Sequence, residues 1–178
     1  MPEVNISGPA GRIEARYHHN PRPNAPVALI LHPHPQFGGT MNNQVVYHLY
    51  YAFQRRGFSV LRFNFRGVGR SEGLFDNGPG ELADAATALD WMQAYNADAG
   101  SCWIAGVSFG AWAAGSGDGA CSMTGRRTIA GAVQVSAMPV SRVVARTASG
   151  GGGGDQSGTA SGWAGFPRRP PPFTPTTT

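Results

Sequence analysis

The chain has 178 residues, a net charge of +4 and two cysteines, and its 14 basic residues are all arginines. Residues 1–113 are neutral overall, so the excess charge belongs to arginines scattered through 114–178, which form no concentrated patch for a nucleic acid. The N-terminus has no apolar signal region, and no apolar run approaches the roughly 20 residues of a membrane span. We therefore expect a cytoplasmic protein with reduced thiols at Cys102 and Cys121 and with neither a nucleic-acid nor a membrane partner.

The first elements in chain order are a hairpin, a strand and a helix. Residues 3–18 alternate weakly in polarity around a Gly-Pro-Ala-Gly turn, a pattern typical of an antiparallel hairpin. The continuous apolar run 27–33 indicates a strand that is covered on both faces in a parallel sheet. Thr40 is placed to cap a helix that stops at Gly57. The apolar residues of this helix recur at helical spacing: Val45, Val46, Leu49, Tyr50 and Phe53.

The next elements repeat the alternation of strand and helix. Residues 58–65 predict a second strand, and the glycine-rich loop after it cannot continue any regular element. Residues 80–95 predict a helix, and 101–107 predict a third strand. Strands that alternate with helices form right-handed crossovers and hence a parallel α/β sheet. The helix at 80–95 has an apolar face of Leu82, Ala85, Ala86, Leu89 and Met92 and a polar face of Glu81, Asp84 and Asp90.

The composition of the chain changes after residue 113. Between 114 and 140 helical periodicity is lost, and only residues 128–137 predict a strand. Residues 141–178 are rich in Gly, Pro and Arg, and such a composition buries too little apolar surface to offset chain entropy. The sequence therefore predicts a folded core at 1–113 and a disordered tail at 141–178.

Residues 106–110 read Gly-Val-Ser-Phe-Gly, the G-x-S-x-G pattern of a nucleophile elbow. Such an elbow is a strained turn between a strand and a helix, and a Cβ at either flanking position would clash where the chain reverses. The pattern directly follows the predicted strand 101–107 and precedes a segment that can begin a helix. This context predicts Ser108 as a catalytic nucleophile, flanked by Gly106 and Gly110.

A second candidate site is the loop 32–39, which reads His-Pro-His-Pro-Gln-Phe-Gly-Gly. In a fold with such an elbow, the residue after the nucleophile gives one amide to the oxyanion hole, and this loop gives the other. Pro33 and Pro35 have no N–H, so the second donor is His34, Gln36 or Phe37, beside the first donor Phe109. Two histidines without further ligands at suitable spacing do not indicate a metal site.

Three segments together carry a family resemblance: LHPHPQFGGTMNN, LRFNFRGVGRSEG and WIAGVSFGAW. Over about residues 1–113 the chain resembles small, lid-poor bacterial α/β-hydrolases of the dienelactone-hydrolase-like or esterase-like kind. The resemblance implies hydrolysis of an ester or similar acyl bond in a small molecule by a Ser-His-Asp triad, without a cofactor. It matches Ser108 to the nucleophile and Phe109 to the oxyanion hole. Six further residues are implied to shape the site: His32, Gly38, Gly39, Arg66, Gly106 and Gly110.

The sequence departs from this family in the rest of the triad. The acid and the histidine follow the nucleophile in this fold, yet no histidine occurs after His48. Asp118 and Asp155 follow Ser108 but lie in glycine-rich sequence, so no triad acid is assigned. His18, His19 or His48 would have to act as the base from elsewhere in the fold.

We therefore expect impaired catalysis and a C-terminal part that is truncated or frameshifted relative to the family, as its Gly, Ala, Arg, Pro and Thr bias suggests. One alternative is a non-catalytic α/β-hydrolase remnant or binding module that keeps the elbow and the loop. Another is an interaction protein that acts through its basic tail. The sequence indicates nothing about oligomeric state.

Overall fold

The computed structural model describes residues 2–116, 129–135 and 143–146. Within these ranges, strands and helices follow one another in this order: β1 (Glu3–Gly8), β2 (Gly11–His18), β3 (Val27–Leu31), α1 (Gln44–Arg55), β4 (Ser59–Phe63), α2 (Pro79–Tyr95), β5 (Cys102–Val107), α3 (Phe109–Ser116), β6 (Ile129–Val135) and β7 (Val143–Arg146). A short 3-10 turn at Pro35–Phe37 lies between β3 and α1.

The seven described strands form one sheet in the order β1-β2-β4-β3-β5-β6-β7. Its centre, β4-β3-β5-β6, is parallel, whereas β1, β2 and β7 run antiparallel to their neighbours. This topology confirms the predicted parallel α/β core with an N-terminal antiparallel hairpin. Because the central strands are parallel, their carboxyl ends lie together at one edge of the sheet, where ligands bind in open α/β folds.

The two last strands lie beyond the segment expected to fold. β6 occupies Ile129–Val135, within the range 128–137 for which the sequence predicts a strand. β7 at Val143–Arg146 falls inside 141–178, which was expected to be disordered, and it pairs with β6. Two consecutive β-branched valines favour this strand, although the average composition of 141–178 predicts disorder. The rest of the predicted tail lies outside the described residues, as does Cys121.

Side chains of β3 alternate between two buried clusters, as the unbroken apolar run predicts. All five residues of β3 are buried. Leu29 packs in the cluster that contains Leu89 and Met92 of α2, while Ile30 packs with Val46 of α1 on the opposite face. Helices therefore cover both faces of the sheet, which is the arrangement that parallel sheets require. No helix in the described ranges has the length and apolar character needed to cross a membrane.

The start of α1 differs from the prediction. The side chain of Asn43 caps this helix by accepting the N–H of Val45 at 3.0 Å. Thr40 instead accepts the N–H of Asn42 at 3.1 Å, within the turn that precedes the helix. Both residues are good caps, and the sequence alone does not show which of them has the extended backbone that capping needs.

The polar face expected for α2 is wrong at two of its three acidic residues. Glu81 and Asp84 are buried, and only Asp90 is exposed. The carboxylate of Glu81 accepts the N–H groups of Asp76 at 2.9 Å and Gly78 at 2.7 Å, which satisfies donors at the helix start. Asp84 is buried because it pairs with Arg66 from the loop after β4.

Candidate active site

Ser108 occupies the turn between β5 and α3, at the carboxyl edge of the sheet. Its side chain is exposed and its φ is 53°, in the left-handed region that non-glycine residues rarely adopt. Its carbonyl accepts the N–H groups of Ala111 at 2.9 Å and Trp112 at 3.0 Å, so α3 begins directly after it. A left-handed serine costs about 1–2 kcal/mol, and such strain is kept mainly at functional sites.

The two flanking glycines allow this turn to pack against β3. A Cβ on Gly106 would collide with the carbonyl group of Gly110. A Cβ on Gly110 would lie 2.5 Å from the carbonyl oxygen of Leu31 and 2.6 Å from that of His32. The start of α3 is therefore pressed against the end of β3, which places the turn at Ser108 beside the loop 32–39.

Backbone hydrogen bonds inside the loop distinguish between the three predicted amide donors. The N–H of Gln36 donates to Nδ1 of His34 at 3.2 Å, and the N–H of Phe37 donates to the His34 carbonyl at 3.1 Å. The N–H groups of His34 and Phe109 have no acceptor among the described residues. The loop thus presents one unengaged amide, and the start of α3 presents another.

The two glycines that end the loop have different roles. Gly38 has a φ of 76°, and a Cβ there would meet nothing within 4 Å, so only its backbone conformation favours glycine. A Cβ on Gly39 would collide with the carbonyl of Pro33. The N–H of Gly39 also donates to the His34 carbonyl at 3.1 Å, which closes the loop on itself.

His32 is completely buried at the end of β3 and joins two backbone segments. Its Nε2 accepts the N–H of Phe65 at 3.1 Å, and its Nδ1 lies 2.6 Å from the carbonyl oxygen of Pro33. Since an amide N–H can only donate, the ring proton must be on Nδ1, which donates to Pro33. Burial lowers the pKa of His32 from 6.5 to about 4, although the bond to Pro33 opposes this shift. His32 is therefore neutral near pH 7.

This neutral histidine predicts a loss of stability in mild acid. The unfolded chain binds this proton below pH 6.5, whereas the folded chain binds it only near pH 4. The free energy of unfolding should therefore fall by about 3 kcal/mol as the pH is lowered from 6.5 to 4. Urea denaturation across this pH range measures the loss. We expect His32→Gln, whose amide oxygen can accept the Phe65 N–H without titrating, to have the shallower pH dependence. His48→Gln on the exposed face of α1 is the control. If the free energy of unfolding of His32→Gln depended on pH as steeply as that of wild type, His32 would not be the group that titrates.

None of the five histidines in the sequence is placed to take a proton from Ser108. His18 pairs with Val60 near the start of β4, so His18 and its neighbour His19 lie at the amino edge of the sheet, opposite the elbow. His48 lies on the exposed side of α1, away from the sheet-facing Val46 and Tyr50. None of these three histidines therefore lies beside the elbow.

The two remaining histidines are near the elbow but have occupied acceptor nitrogens. Nε2 of His32 accepts from Phe65, and Nδ1 of His34 accepts from Gln36. The neutral ring of His34 therefore carries its proton on Nε2, which can donate but cannot accept. The predicted acids Asp118 and Asp155 lie outside the described residues.

A set of aromatic side chains that sequence analysis missed surrounds the elbow; we define His34, Phe37, Phe75, Phe109 and Trp112 as the aromatic rim. The His34 ring lies 4.8 Å from the ring of Phe37 and 5.0 Å from those of Phe75 and Phe109. The Phe109 ring lies 5.3 Å from that of Trp112. Phe37 is 85% exposed and Trp112 is 48% exposed. Leu74, which precedes Phe75 in the chain, is 84% exposed. Phe109 and Trp112 follow Ser108 within the first turn of α3, so their closeness to the elbow could be inferred from the sequence, whereas that of Phe75 could not.

Arg66 supports the site without facing it. Its backbone N–H and its Nε each donate to Oδ2 of Asp84 at 3.0 Å, and its Nη2 donates to Oδ1 at 2.8 Å. Gly80 leaves room for the guanidinium, because a Cβ there would collide with it. Within the described ranges, no three His, Cys, Asp or Glu side chains are grouped to hold a metal ion.

A family model for X-Pro dipeptidyl-peptidases (S15 family) matches residues 12–139 of the chain. The chain belongs to this family, and with it to the α/β-hydrolase superfamily. The matched range contains the loop 32–39 and the elbow, and it also reaches into 114–140, beyond the residues 1–113 that carry the resemblance in the sequence. The family therefore extends at least to the region of β6.

Relatives agree with this assignment over part of their length. An uncharacterized protein of Rickettsia prowazekii (strain Madrid E) is 57% identical over 114 residues, which are 64% of this chain and 48% of the relative. A crystal structure of a protein of unknown function from Agrobacterium tumefaciens is 65% identical, with a TM-score of 0.62 over 64% of this chain and 52% of that one. An α/β serine hydrolase homologue from Coxiella burnetii is 35% identical, with a TM-score of 0.64 over 75% of this chain and 61% of its own. The chain thus spans about half the length of the first two proteins.

Proposed function

We propose that the protein is a serine hydrolase that attacks an ester or similar acyl bond through Oγ of Ser108. The observation that carries the proposal is the strained, exposed conformation of this serine, with a φ of 53° between β5 and α3. Structural serines seldom adopt this conformation, and Gly106 and Gly110 are needed to allow it. Membership of the α/β-hydrolase superfamily supports the same role.

The oxyanion hole in this proposal consists of the N–H groups of Phe109 and His34. They are the two unengaged amides on either side of the elbow, whereas the amides of Gln36 and Phe37 are used inside the loop. When Ser108 attacks an acyl carbonyl, the oxygen of that carbonyl becomes negative, and two fixed donors stabilise it. Each such donor contributes about 3 kcal/mol to the transition state in hydrolases with this type of hole.

The acyl group itself would contact the aromatic rim. The rim presents aromatic rings, the side chain of Leu74 is exposed next to Phe75, and Arg66 is already paired with Asp84. A neutral, apolar acyl group fits this lining better than a charged one, because a charge would lose water without gaining a partner. The dienelactone-hydrolase-like or esterase-like branch stays a prediction. The cytoplasmic location and the truncated or frameshifted C-terminal part also stay predictions.

Turnover by this chain should be slow. The Oγ of Ser108 needs a base to remove its proton, and the five histidines lie elsewhere or have occupied nitrogens. Loss of the triad histidine costs about 10⁴ or more in rate, although the oxyanion hole and substrate binding still accelerate the reaction over water. The alternative proposal is a binding module that keeps the elbow but has no activated hydroxyl.

Labelling with a fluorophosphonate probe tests the nucleophile. We expect slow labelling of the wild-type protein and none of Ser108→Ala, because the Ser108 hydroxyl attacks the probe beside the oxyanion donors, and the absent base slows this attack without abolishing it. Ser101→Ala, at the amino end of β5, is the matched control and should be labelled like wild type. Failure of the wild type to react would reject the hydrolase and favour the binding module.

Chemical rescue with imidazole tests whether Ser108 lacks a general base. Added imidazole should accelerate hydrolysis of p-nitrophenyl acetate by wild type at least about tenfold more than by Ser108→Ala, since it replaces the absent general base. Alanyl-prolyl p-nitroanilide should be assayed beside the ester, because the matching family model is named for X-Pro dipeptidyl-peptidases. Equal acceleration in both variants would mean that Ser108 has no role.

A further inference from the structure

A cavity of about 380 Å³ opens at the amino edge of the sheet, opposite Ser108. It lies between the connector that follows β2 and the end of α1, and we name it the amino-edge cavity. Its volume is within the range of pockets for small ligands, roughly 300–1,000 Å³. The side chains that matter here are those of His18, His19, Arg22, Gln54, Arg55 and Arg56.

The lining of this cavity has a concentrated positive charge. Three arginines face it, and no Asp or Glu is among its lining residues. The guanidinium groups of Arg22 and Arg55 have no hydrogen-bond or ion-pair partner within the described ranges, while Arg56 donates to the carbonyl of Ala52 at 3.0 Å. Because residues 1–113 are neutral as a whole, this local excess is not a consequence of overall charge.

The end of α1 explains only part of this charge. Arg55 and Arg56 lie at the helix carboxyl terminus, whose dipole is equivalent to about half a negative charge. One arginine would neutralise that end, yet the cavity has three. Arg22 belongs to the connector rather than to the helix, so the helix dipole does not account for it.

The connector is folded so that Arg22 reaches the cavity. The side chain of Asn20 donates to the Gly57 carbonyl at 2.6 Å and accepts the backbone N–H of Arg22 at 3.1 Å. A Cβ at Gly57 would lie 4.0 Å from Nη1 of Arg22, so the guanidinium stands over the turn that ends α1. Two segments distant in sequence are thus joined with their cations on one opening.

The ring of His18 adds a further donor to this lining. Nε2 of Gln54 lies 3.4 Å from Nδ1 of His18, which leaves Nε2–H of His18 to donate elsewhere. A ligand for this lining must accept hydrogen bonds from guanidinium and imidazole groups.

We propose that the amino-edge cavity binds a small phosphate-bearing ligand, independently of the chemistry at Ser108. Guanidinium groups bind phosphate oxygens in pairs of parallel hydrogen bonds, which suits the two unengaged arginines. Sulfate is also tetrahedral and has only acceptor oxygens, so a lining made of donors should bind it as well.

Isothermal titration of the full chain with inorganic phosphate, at constant ionic strength and near neutral pH, tests this proposal. We expect saturable binding of phosphate and of sulfate, and a Kd for phosphate raised about fivefold to tenfold in Arg22→Gln and in Arg55→Gln. Arg12→Gln and Arg70→Gln remove the same charge far from the cavity and should change Kd less than about twofold.

Three results would overturn the proposal. They are no saturation by about 10 mM phosphate, equal weakening in the Arg12 and Arg70 variants, or unchanged affinity in the Arg22 and Arg55 variants. The substituted arginines are exposed, and melting temperatures equal to wild type would show that a loss of binding is not a loss of fold. Ser108→Ala should bind phosphate like wild type, which separates this site from the oxyanion hole.

Discussion

Replacing Gly106 with alanine should unfold the protein or destabilise it by at least about 3 kcal/mol. The added methyl group would overlap the carbonyl carbon and oxygen of Gly110 and would approach the N–H of Ala111 at 2.6 Å. All three obstacles are backbone atoms at the start of α3, so no side chain can rotate away. Relief requires α3 to move from the end of β3, where Gly110 is already packed against the Leu31 carbonyl.

Urea denaturation followed by circular dichroism measures this effect, with Gly38→Ala as the matched control. Gly38→Ala adds the same methyl group, but no atom lies within 4 Å of the added Cβ. The φ of 76° is then the only unfavourable feature. We expect the control to lose about 1–2 kcal/mol, the cost of a left-handed alanine. Similar losses in the two variants would mean that the elbow is not tightly packed and that its glycines serve only backbone flexibility.

The parts of the structure that the sequence predicts are those set by local pattern. The unbroken apolar run at 27–33 requires burial on both faces, and β3 is buried at every position. The glycines around Ser108 require a close approach of backbones, and the structure shows this approach. In both cases a few neighbouring residues contain the whole constraint, so no knowledge of distant contacts is needed.

Contacts between distant segments could not be predicted in this way. The burial of Asp84 depends on Arg66, which lies 18 positions earlier in the chain. The choice of His34 over Gln36 and Phe37 as an unengaged amide depends on how the loop closes on His34, whose Nδ1 accepts from Gln36 and whose carbonyl accepts from Phe37. The aromatic rim brings Phe37 and Phe75 to the same histidine ring, although 38 positions separate them in the sequence.

A nucleophile elbow suggests both a strained serine beside amide donors and a base for that serine. Among the described residues, this site has the first but not the second. The conformation of Ser108 and the two unengaged amides are built into the packing of β3, β5 and α3. The base is a separate requirement, and His32 illustrates why proximity does not meet it. This ring is committed to holding Phe65 and Pro33 in place, and its pKa is too low for it to retain a transferred proton at neutral pH.

Asp84→Asn should destabilise the fold by about 3 kcal/mol, because it removes the buried counter-charge of Arg66 and leaves the exposed carboxylate of Asp76, 3.9 Å away, as its ion-pair partner. The Asp84 side chain is 1% exposed and that of Arg66 is 12% exposed. Three N–H groups of Arg66 donate to the carboxylate, and this hydrogen bonding raises the pKa of the guanidinium. An amide has one acceptor oxygen, and its NH₂ group would face another donor.

Asp90→Asn is the matched control, since it makes the same substitution on the exposed face of the same helix and should change stability by less than about 0.5 kcal/mol. A second variant, Arg66→Met in the Asp84→Asn background, removes the cation that has lost its buried partner. We expect it to be more stable than Asp84→Asn alone, because a largely buried cation with only an exposed counter-charge costs more than an apolar side chain of similar volume. If the double variant were less stable than the single one, Arg66 would contribute through packing on Gly80 rather than through its charge, and the loop after β4 would not depend on the ion pair.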